Sequence, residues 1–187
     1  MAGSQSNANL YVRALSRGSE TVAVPQNDVR IAFWPPENKV RFLVTGALNA
    51  CTAIAIISPK AGILAHIAPL PNGTTTIAPG TDPGPGHIQG LLRRLATLYL
   101  SNRVHFNPTE TWVVAGIWNN QPAMADGIRL MNAALTQLQL TAIWRNYPVM
   151  PRGQSRREGE TSVVIHAYQE GMMPRVYINN TLLARST

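Results

Sequence analysis

The chain contains a single cysteine, Cys51, and a histidine, His66, fifteen residues after it. A cysteine thiolate is a strong nucleophile, and a neighbouring imidazole can take the thiol proton and later protonate a leaving group. A lone cysteine in an apolar stretch can equally be a packing residue, because an unpaired thiol behaves as a small hydrophobe. The choice between these two interpretations depends on whether the fold brings Cys51 and His66 together.

Two apolar runs, CTAIAIIS and GILAHIAP, carry these residues and flank the turn-forming dipeptide Ser58-Pro59. A hairpin with its turn centred on this dipeptide pairs Ile54 with Ile63 and Cys51 with His66. Directly paired residues project from the same face, with Cβ atoms about 4.5–5.5 Å apart. The pattern therefore permits a Cys51–His66 dyad, whereas a slip of one residue would put the two side chains on opposite faces.

A run of small residues, Gly46-Ala47-Leu48-Asn49-Ala50, directly precedes Cys51. A tight turn in such a run exposes backbone amides, which are the donors that a tetrahedral oxyanion needs. Asn49 and Ala50 are therefore candidates for an oxyanion or substrate-binding site. Thr45 and Asn49 supply a hydroxyl and an amide that can orient the imidazole or bind a substrate carboxamide.

The composition indicates a globular protein of 187 residues, with 45% hydrophobic and 13% charged residues. We expect a flexible polar arm over residues 1–20 and a single domain over residues 21–187. The sequence has no apolar run long enough for a membrane span and no signal-peptide pattern, which favours a cytoplasmic location without excluding unconventional secretion. It also lacks C-x-x-C, H-E-x-x-H and a glycine-rich phosphate loop, so we expect neither a metal nor a cofactor.

Short strand patterns come first, then a helix over about 87–102, a buried strand, a second helix over about 124–138, and strands again. This order predicts an α+β fold with mixed sheets and helices on their faces. A long Pro/Gly/Thr loop is expected over residues 69–86. His87 and His105 are interpreted as structural or solvent-facing, and His166 as a secondary candidate for the site.

The net charge is +7, and all basic residues except Lys39 and Lys60 are arginines. Three of the arginines fall in a predicted loop, residues 150–157, close to Glu158 and Glu160. That segment has no interleaved aromatic residues and no recognition helix, so nucleic-acid binding is not the favoured interpretation. The alternatives are a solvated loop and a docking segment for an acidic partner.

The order Thr45, Cys51 six residues later, and Ala65-His66 followed by Pro69 resembles the CheD chemoreceptor glutamine deamidases. The catalytic domains of cytotoxic necrotizing factors have a similar spacing between cysteine and histidine. The resemblance implies a four-layer αββα fold and hydrolysis of a protein glutamine side chain to glutamate, with release of ammonia. It makes Cys51 the nucleophile, His66 the general base and acid, and Thr45 the third active-site group. No cofactor is implied, and the partner would be a protein that bears a glutamine.

The chain departs from the family pattern around the dyad. Asn49-Ala50 stands where the family has Gly-Ser, and Gly62-Ile63-Leu64 stands where it has paired glycines. These positions would receive the substrate, so two alternatives to a protein glutamine deamidase stay open. One is a binding or regulatory module of the same fold that has lost catalysis. The other keeps the dyad and takes a small amide or a thioester.

Overall fold

The computed structural model describes residues 9–36, 38–72, 83–151 and 161–184. Within these ranges the helices are α1 (Leu10–Leu15), α2 (Pro83–Ser101) and α3 (Ala125–Gln137). The strands are β1 (Thr21–Ala23), β2 (Asp28–Phe33), β3 (Phe42–Thr45), β4 (Thr52–Ile57), β5 (Ala61–Ile67), β6 (Glu110–Trp118), β7 (Gln121–Pro122), β8 (Ala142–Pro148), β9 (Val163–His166), β10 (Arg175–Ile178) and β11 (Thr181–Leu182).

The strands form two sheets. The first sheet has the order β1-β3-β9-β10-β11, and the second has the order β2-β5-β4-β6-β7 with β8 also paired to β6. Pairing is parallel between β1 and β3 and between β6 and β8, and antiparallel elsewhere. The parallel β6–β8 pair is connected through α3, as a parallel crossover requires. These mixed sheets with helices confirm the α+β prediction.

Three apolar clusters lie between successive layers of the fold. One fills the space between the two sheets and includes Leu43, Leu64 and Trp112. A second lies between the second sheet and the helices α2 and α3. The third lies between the first sheet and α1. Because β4 and β5 have a cluster on each side, every residue of both strands is buried, which explains their near-continuous apolar sequences.

Helix α2 begins four residues earlier than the periodicity predicts. Pro83 and Pro85 lie in its first turn, where a helix has no intrahelical partner for its amides and proline is therefore tolerated. The expected loop over residues 69–86 is thus shorter at its end, and its residues 73–82 lie outside the described part of the chain. No helix in the described ranges is both long and apolar enough to cross a membrane.

Helix α1 lies in the stretch where we expected a polar arm. Asn9 caps this helix by accepting a hydrogen bond from the Tyr11 amide at 2.9 Å. Ala14 is fully buried against the first sheet, and the Tyr11 ring packs on Gly46, where an added Cβ would come within 2.6 Å of it. Residues 10–15 therefore contribute to the core, whereas residues 1–8 lie outside the described ranges. The arginines and glutamates of residues 152–160 also lie outside them.

Gly62 leaves room for the indole ring of Trp34, which packs in the layer between the two sheets. A Cβ at this position would lie 2.5 Å from Cζ2 of Trp34 and 3.6 Å from Cδ2 of Leu43 in the opposite sheet. We expect Gly62→Ala to lower the free energy of unfolding by about 1–3 kcal/mol, because the indole ring must shift within a packed core. Urea denaturation monitored by circular dichroism measures this loss.

The matched control is Gly90→Ala, at an exposed position of α2 where an added Cβ meets nothing within 4 Å. Alanine at an open helical position should raise the stability by about 0.5–1 kcal/mol. Equal effects of the two substitutions would contradict the role assigned to Gly62.

Candidate active site

The predicted pairing of Cys51 with His66 is wrong by two residues. In the observed β4–β5 hairpin, His66 pairs with Ala53 and Ile54 pairs with Ala65. The turn is centred on Pro59-Lys60, because proline occupies its second position rather than its third. Ser58 closes the turn: its amide donates to the Ala61 carbonyl at 2.9 Å and its hydroxyl oxygen accepts from the Ala61 amide at 2.9 Å.

A shift of two residues preserves the face on which a side chain lies. Cys51 therefore projects into the same inter-sheet layer as Ala53, and both belong to the cluster there. It becomes a diagonal neighbour of His66, at a separation of about 7–8 Å between backbones, which long and aromatic side chains can span. The hairpin thus brings the two residues near each other by a different register from the predicted one.

Thr45 and His66 form a hydrogen bond across the two sheets. Oγ1 of Thr45, at the end of β3, lies 2.8 Å from Nδ1 of His66 in β5 and 2.7 Å from the carbonyl oxygen of Val24. The carbonyl can only accept, so the single hydroxyl proton of Thr45 is donated to Val24. Nδ1 must then carry a proton and donate it to Thr45. The contact therefore fixes the imidazole in the Nδ1–H tautomer.

The other ring nitrogen of His66, Nε2, is a buried acceptor without a partner. His66 is only 2% exposed, and no described residue forms a hydrogen bond with Nε2. Burial lowers the pKa of His66 from 6.5 to about 4, because desolvation disfavours the charged ring. At neutral pH the imidazole is therefore uncharged and has a free lone pair on Nε2, the state that a general base requires.

Cys51 lies just before β4 and is 5% exposed. Its thiol donates to the Asn49 carbonyl at 3.7 Å and forms no hydrogen bond with His66. Burial raises the pKa of the Cys51 thiol, an effect that the contact with Asn49 only partly opposes. The Cys51 thiol and the His66 imidazole are thus both neutral in the absence of substrate. The thiol proton would pass to Nε2 as the sulfur attacks a substrate, and the thiol would first have to rotate away from Asn49.

The turn that leads into Cys51 has an unusual backbone. Ala47 and Ala50 have φ angles of 55° and 65°, in the left-handed region that favours glycine. Each such residue costs about 1–2 kcal/mol relative to the right-handed conformation. Such conformations persist where the surrounding structure holds them in place, and they are frequent at functional sites.

Contacts from three parts of the chain hold this turn. The Leu48 amide donates to the Thr161 carbonyl at 3.1 Å, and the Met150 amide donates to Oδ1 of Asn49 at 3.0 Å. The Tyr147 hydroxyl, from β8, donates to the Cys51 carbonyl at 2.7 Å. Within the described part of the chain, the amides of Ala50 and Cys51 donate to no acceptor. These two amides adjoin the Cys51 thiol in sequence, so they are our candidates for the oxyanion donors.

The site residues predicted from the sequence therefore fall into two groups. Thr45, Cys51 and His66 gather between the sheets, and Ala50 lies in the turn beside them. The side chain of Asn49 instead holds Met150 and lies on the exposed side of the turn. Sequence reasoning missed Tyr147 and the Val24 carbonyl. A tyrosine in a buried strand is a weak signal for a buried hydrogen bond, and a carbonyl carries no sequence signal.

The other histidines lie away from this group. Nε2 of His87 lies 2.9 Å from Oδ1 of Asn27, and the ring of His105 packs edge-on against Phe33. The ring of His166 stacks on Phe42 on the outer face of the first sheet. In the described ranges no three His, Cys, Asp or Glu side chains are grouped as metal ligands.

Comparison of the chain with protein-family models and with curated protein sequences gives no match.

The low pKa of His66 makes stability depend on pH. The unfolded chain protonates this ring near pH 6.5, whereas the folded protein does so only near pH 4. Between these values the unfolded state holds more protons, so the stability that is present above pH 6.5 falls as the pH drops toward 4. The loss from this group is roughly 3 kcal/mol.

Urea denaturation between pH 7 and pH 4 measures this loss, and His66→Gln should remove it. Burial also lowers the pKa values of His87 and His166, which adds a slope of the same sign in both proteins. The difference between the native protein and the variant therefore isolates His66. Parallel losses in the two proteins would contradict the assignment, as would an NMR titration midpoint of the His66 ring near pH 6.5.

The raised pKa of Cys51 predicts slow alkylation of the folded protein at neutral pH. Iodoacetamide should react with the urea-unfolded chain far faster than with the folded one, because thiolate and access are both lacking in the fold. The rate for the folded protein should still be rising with pH above the ordinary thiol pKa of about 8.5. A plateau at mildly acidic pH would instead indicate a thiolate–imidazolium pair.

Proposed function

We propose that the protein is a cysteine-dependent amidohydrolase that converts the side-chain amide of a protein glutamine to glutamate and releases ammonia. The observation that carries this proposal is the Thr45–His66 hydrogen bond, which leaves Nε2 of a buried, neutral imidazole free on the face where Cys51 lies. The choice of a glutamine side chain, and of an αββα deamidase fold, comes from the resemblance of residues 45–69 to the CheD deamidases.

A nucleophile, a base and a third group that orients the base are the parts that such a reaction needs. Cys51 supplies the nucleophile and His66 the base. Thr45 fixes the tautomer that puts the lone pair on Nε2. All three groups are side chains of the chain itself, so the proposed reaction needs no cofactor. Its substrate would be a protein that offers an accessible glutamine, and we place the reaction in the cytoplasm.

In the first half of the reaction, the Cys51 thiol proton passes to Nε2 as the sulfur bonds to the amide carbon. The carbonyl oxygen becomes an oxyanion. The amides of Ala50 and Cys51 are the backbone donors closest in sequence to the attacking sulfur, and we assign them to this oxyanion. The carbon–nitrogen bond then breaks, and the proton on Nε2 moves to the nitrogen that leaves as ammonia. A thioester between Cys51 and the former glutamine side chain remains.

In the second half, Nε2 takes a proton from water as the water oxygen attacks the thioester carbon. The carbon–sulfur bond breaks, the proton returns to the sulfur, and glutamate is released. Because the pKa of His66 is about 4, the protonated ring is a strong acid, which favours proton transfer to the leaving nitrogen. The same low value makes His66 a weak base, so thiol deprotonation is expected to be the harder step.

A second candidate is a binding or regulatory module of the same fold without catalysis. The observation in its favour is the burial of the dyad, since Cys51 is 5% exposed and is hydrogen-bonded to Asn49 rather than to His66. In that case Thr45 and His66 would serve only to join the two sheets. The two candidates differ in whether Cys51 is required for ammonia release.

Ammonia release from glutamine-containing peptides and from an unfolded glutamine-rich protein tests the proposal. Asparagine-containing peptides serve as the substrate control, and mass spectrometry locates each converted residue. We expect Cys51→Ala and His66→Gln to lower the rate by a factor of about 10³ or more, because the two residues act as one unit.

The matched protein control is Thr52→Val. Thr52 neighbours Cys51 but faces the helix layer, where its hydroxyl donates to Sδ of Met124 at 3.8 Å. This variant should keep the native rate. Equal ammonia release from the native protein and from Cys51→Ala would overturn the amidohydrolase, and an absence of release from every glutamine substrate would favour the binding module.

A further inference from the structure

A second polar region lies on the outer face of the first sheet, away from the candidate active site. His166 ends β9 and pairs with Phe42 on one side and Arg175 on the other. Val164, two residues earlier on the same face, is covered by α1. His166 itself is partly buried at the end of this face, beside the buried Phe42.

Arg175 pairs directly with His166, and three further arginines lie close enough for their charges to act on its ring. Arg13 lies on α1, Arg17 in the turn that follows it, Arg41 directly before β3, and Arg175 at the start of β10, and all four are exposed. Burial is the largest cause that lowers the pKa of His166, and the positive charges of Arg175, Arg41, Arg17 and Arg13 lower it further. We call these four arginines and His166 the basic surface.

Few carboxylates balance this charge. Arg17 meets Glu20 at 3.9 Å, a long and exposed pair, and no ion pair in the described ranges involves Arg13, Arg41 or Arg175. On the other side of the molecule, by comparison, three of the exposed arginines are paired with carboxylates. There Arg30 and Arg94 both lie against Asp28, at 2.8 and 2.7 Å, and Arg129 lies 2.9 Å from Asp126.

The backbone that carries the basic surface is fixed by hydrogen bonds. The Arg41 amide donates to the Glu20 carbonyl at 2.8 Å, and the Arg41 carbonyl accepts from the Ala167 amide at 2.9 Å. The guanidinium of Arg175 lies 3.9 Å above the centre of the Tyr168 ring. The guanidinium of Arg175 is thus already positioned, so it loses less conformational freedom when a partner binds.

We propose that the basic surface binds an acidic polypeptide segment, whose Asp and Glu side chains pair with Arg13, Arg41 and Arg175. Paired guanidinium and carboxylate groups have matching planar geometry, which favours arginine over lysine at such surfaces. This interaction is independent of the chemistry at Cys51, so it holds for an enzyme and for a binding module alike.

The arrangement of rings argues against nucleic acid as the occupant. Phe42 is buried and stacks on His166 with the ring centres 4.4 Å apart, and Arg175 covers one face of Tyr168. Binding of single strands depends on free aromatic faces on which bases stack. Helix α1 is six residues long and has its apolar side against the sheet, so it cannot enter a duplex groove.

Fluorescence anisotropy with a labelled peptide of alternating Glu and Ser tests the proposal. The Gln-for-Glu peptide and single- and double-stranded DNA oligonucleotides of similar charge are the comparison probes. We expect the acidic peptide to bind more tightly than the other probes, with an affinity that falls between about 50 and 200 mM salt. The triple variant Arg13→Glu, Arg41→Glu, Arg175→Glu should weaken its binding at least about tenfold.

The control is the triple variant Arg93→Glu, Arg103→Glu, Arg129→Glu. It changes the net charge by the same amount as the first triple variant, at exposed positions on the helix side. It should weaken binding less than about threefold, since its charges are more than a Debye length from the surface. The double variant Arg13→Gln, Arg41→Gln provides the test if the first triple variant does not fold, and it should weaken binding about threefold or more. Equal losses in the two triple variants, no saturable binding of the acidic peptide, or tighter binding of an oligonucleotide would each overturn the proposal.

Discussion

The hydrogen bond between Thr45 and His66 is the polar contact on which the candidate site depends. It joins the end of β3 to β5 inside a layer that is otherwise apolar, and the Val24 carbonyl completes it. Buried polar atoms are usually hydrogen-bonded, but among the described residues only Nδ1 of this imidazole has a partner and Nε2 has none. The orientation of the His66 ring and the free lone pair on Nε2 both follow from this contact.

Several features near Cys51 reduce stability, and the surrounding structure supports each of them. Ala47 and Ala50 adopt left-handed backbone angles, and Nε2 of His66 has no hydrogen-bond partner among the described residues. Hydrogen bonds from Leu48, Tyr147 and Met150 hold the turn that contains the two alanines and Cys51. Local strain that distant contacts maintain is frequent at functional sites, where it fixes reactive groups in advance.

The sequence predicts the elements of this fold better than their relative placement. Apolar periodicity located both long helices, and the position of Pro59 indicated the β4–β5 hairpin. The register was missed because proline prefers the second position of a turn, which moves the centre to Pro59-Lys60. The partnership of Thr45 with His66 could not come from spacing, since the two residues lie in different sheets. The burial of α1 was missed because a six-residue helix gives too short a periodic pattern.

The strand order also determines when the site can exist. Most strands of the second sheet are close in sequence, whereas β3 is held between β1 and β9, which lie more than a hundred residues apart from each other. During synthesis, the Cys51–His66 hairpin can therefore form early, but Thr45 gains its neighbour Val163 only after residue 163 has left the ribosome. A nascent chain, or one truncated before β9, would contain Cys51 and His66 but would lack the β3–β9 pairing that holds Thr45 in place. The site formed by Thr45, Cys51 and His66 is therefore complete only after β9 has been synthesised.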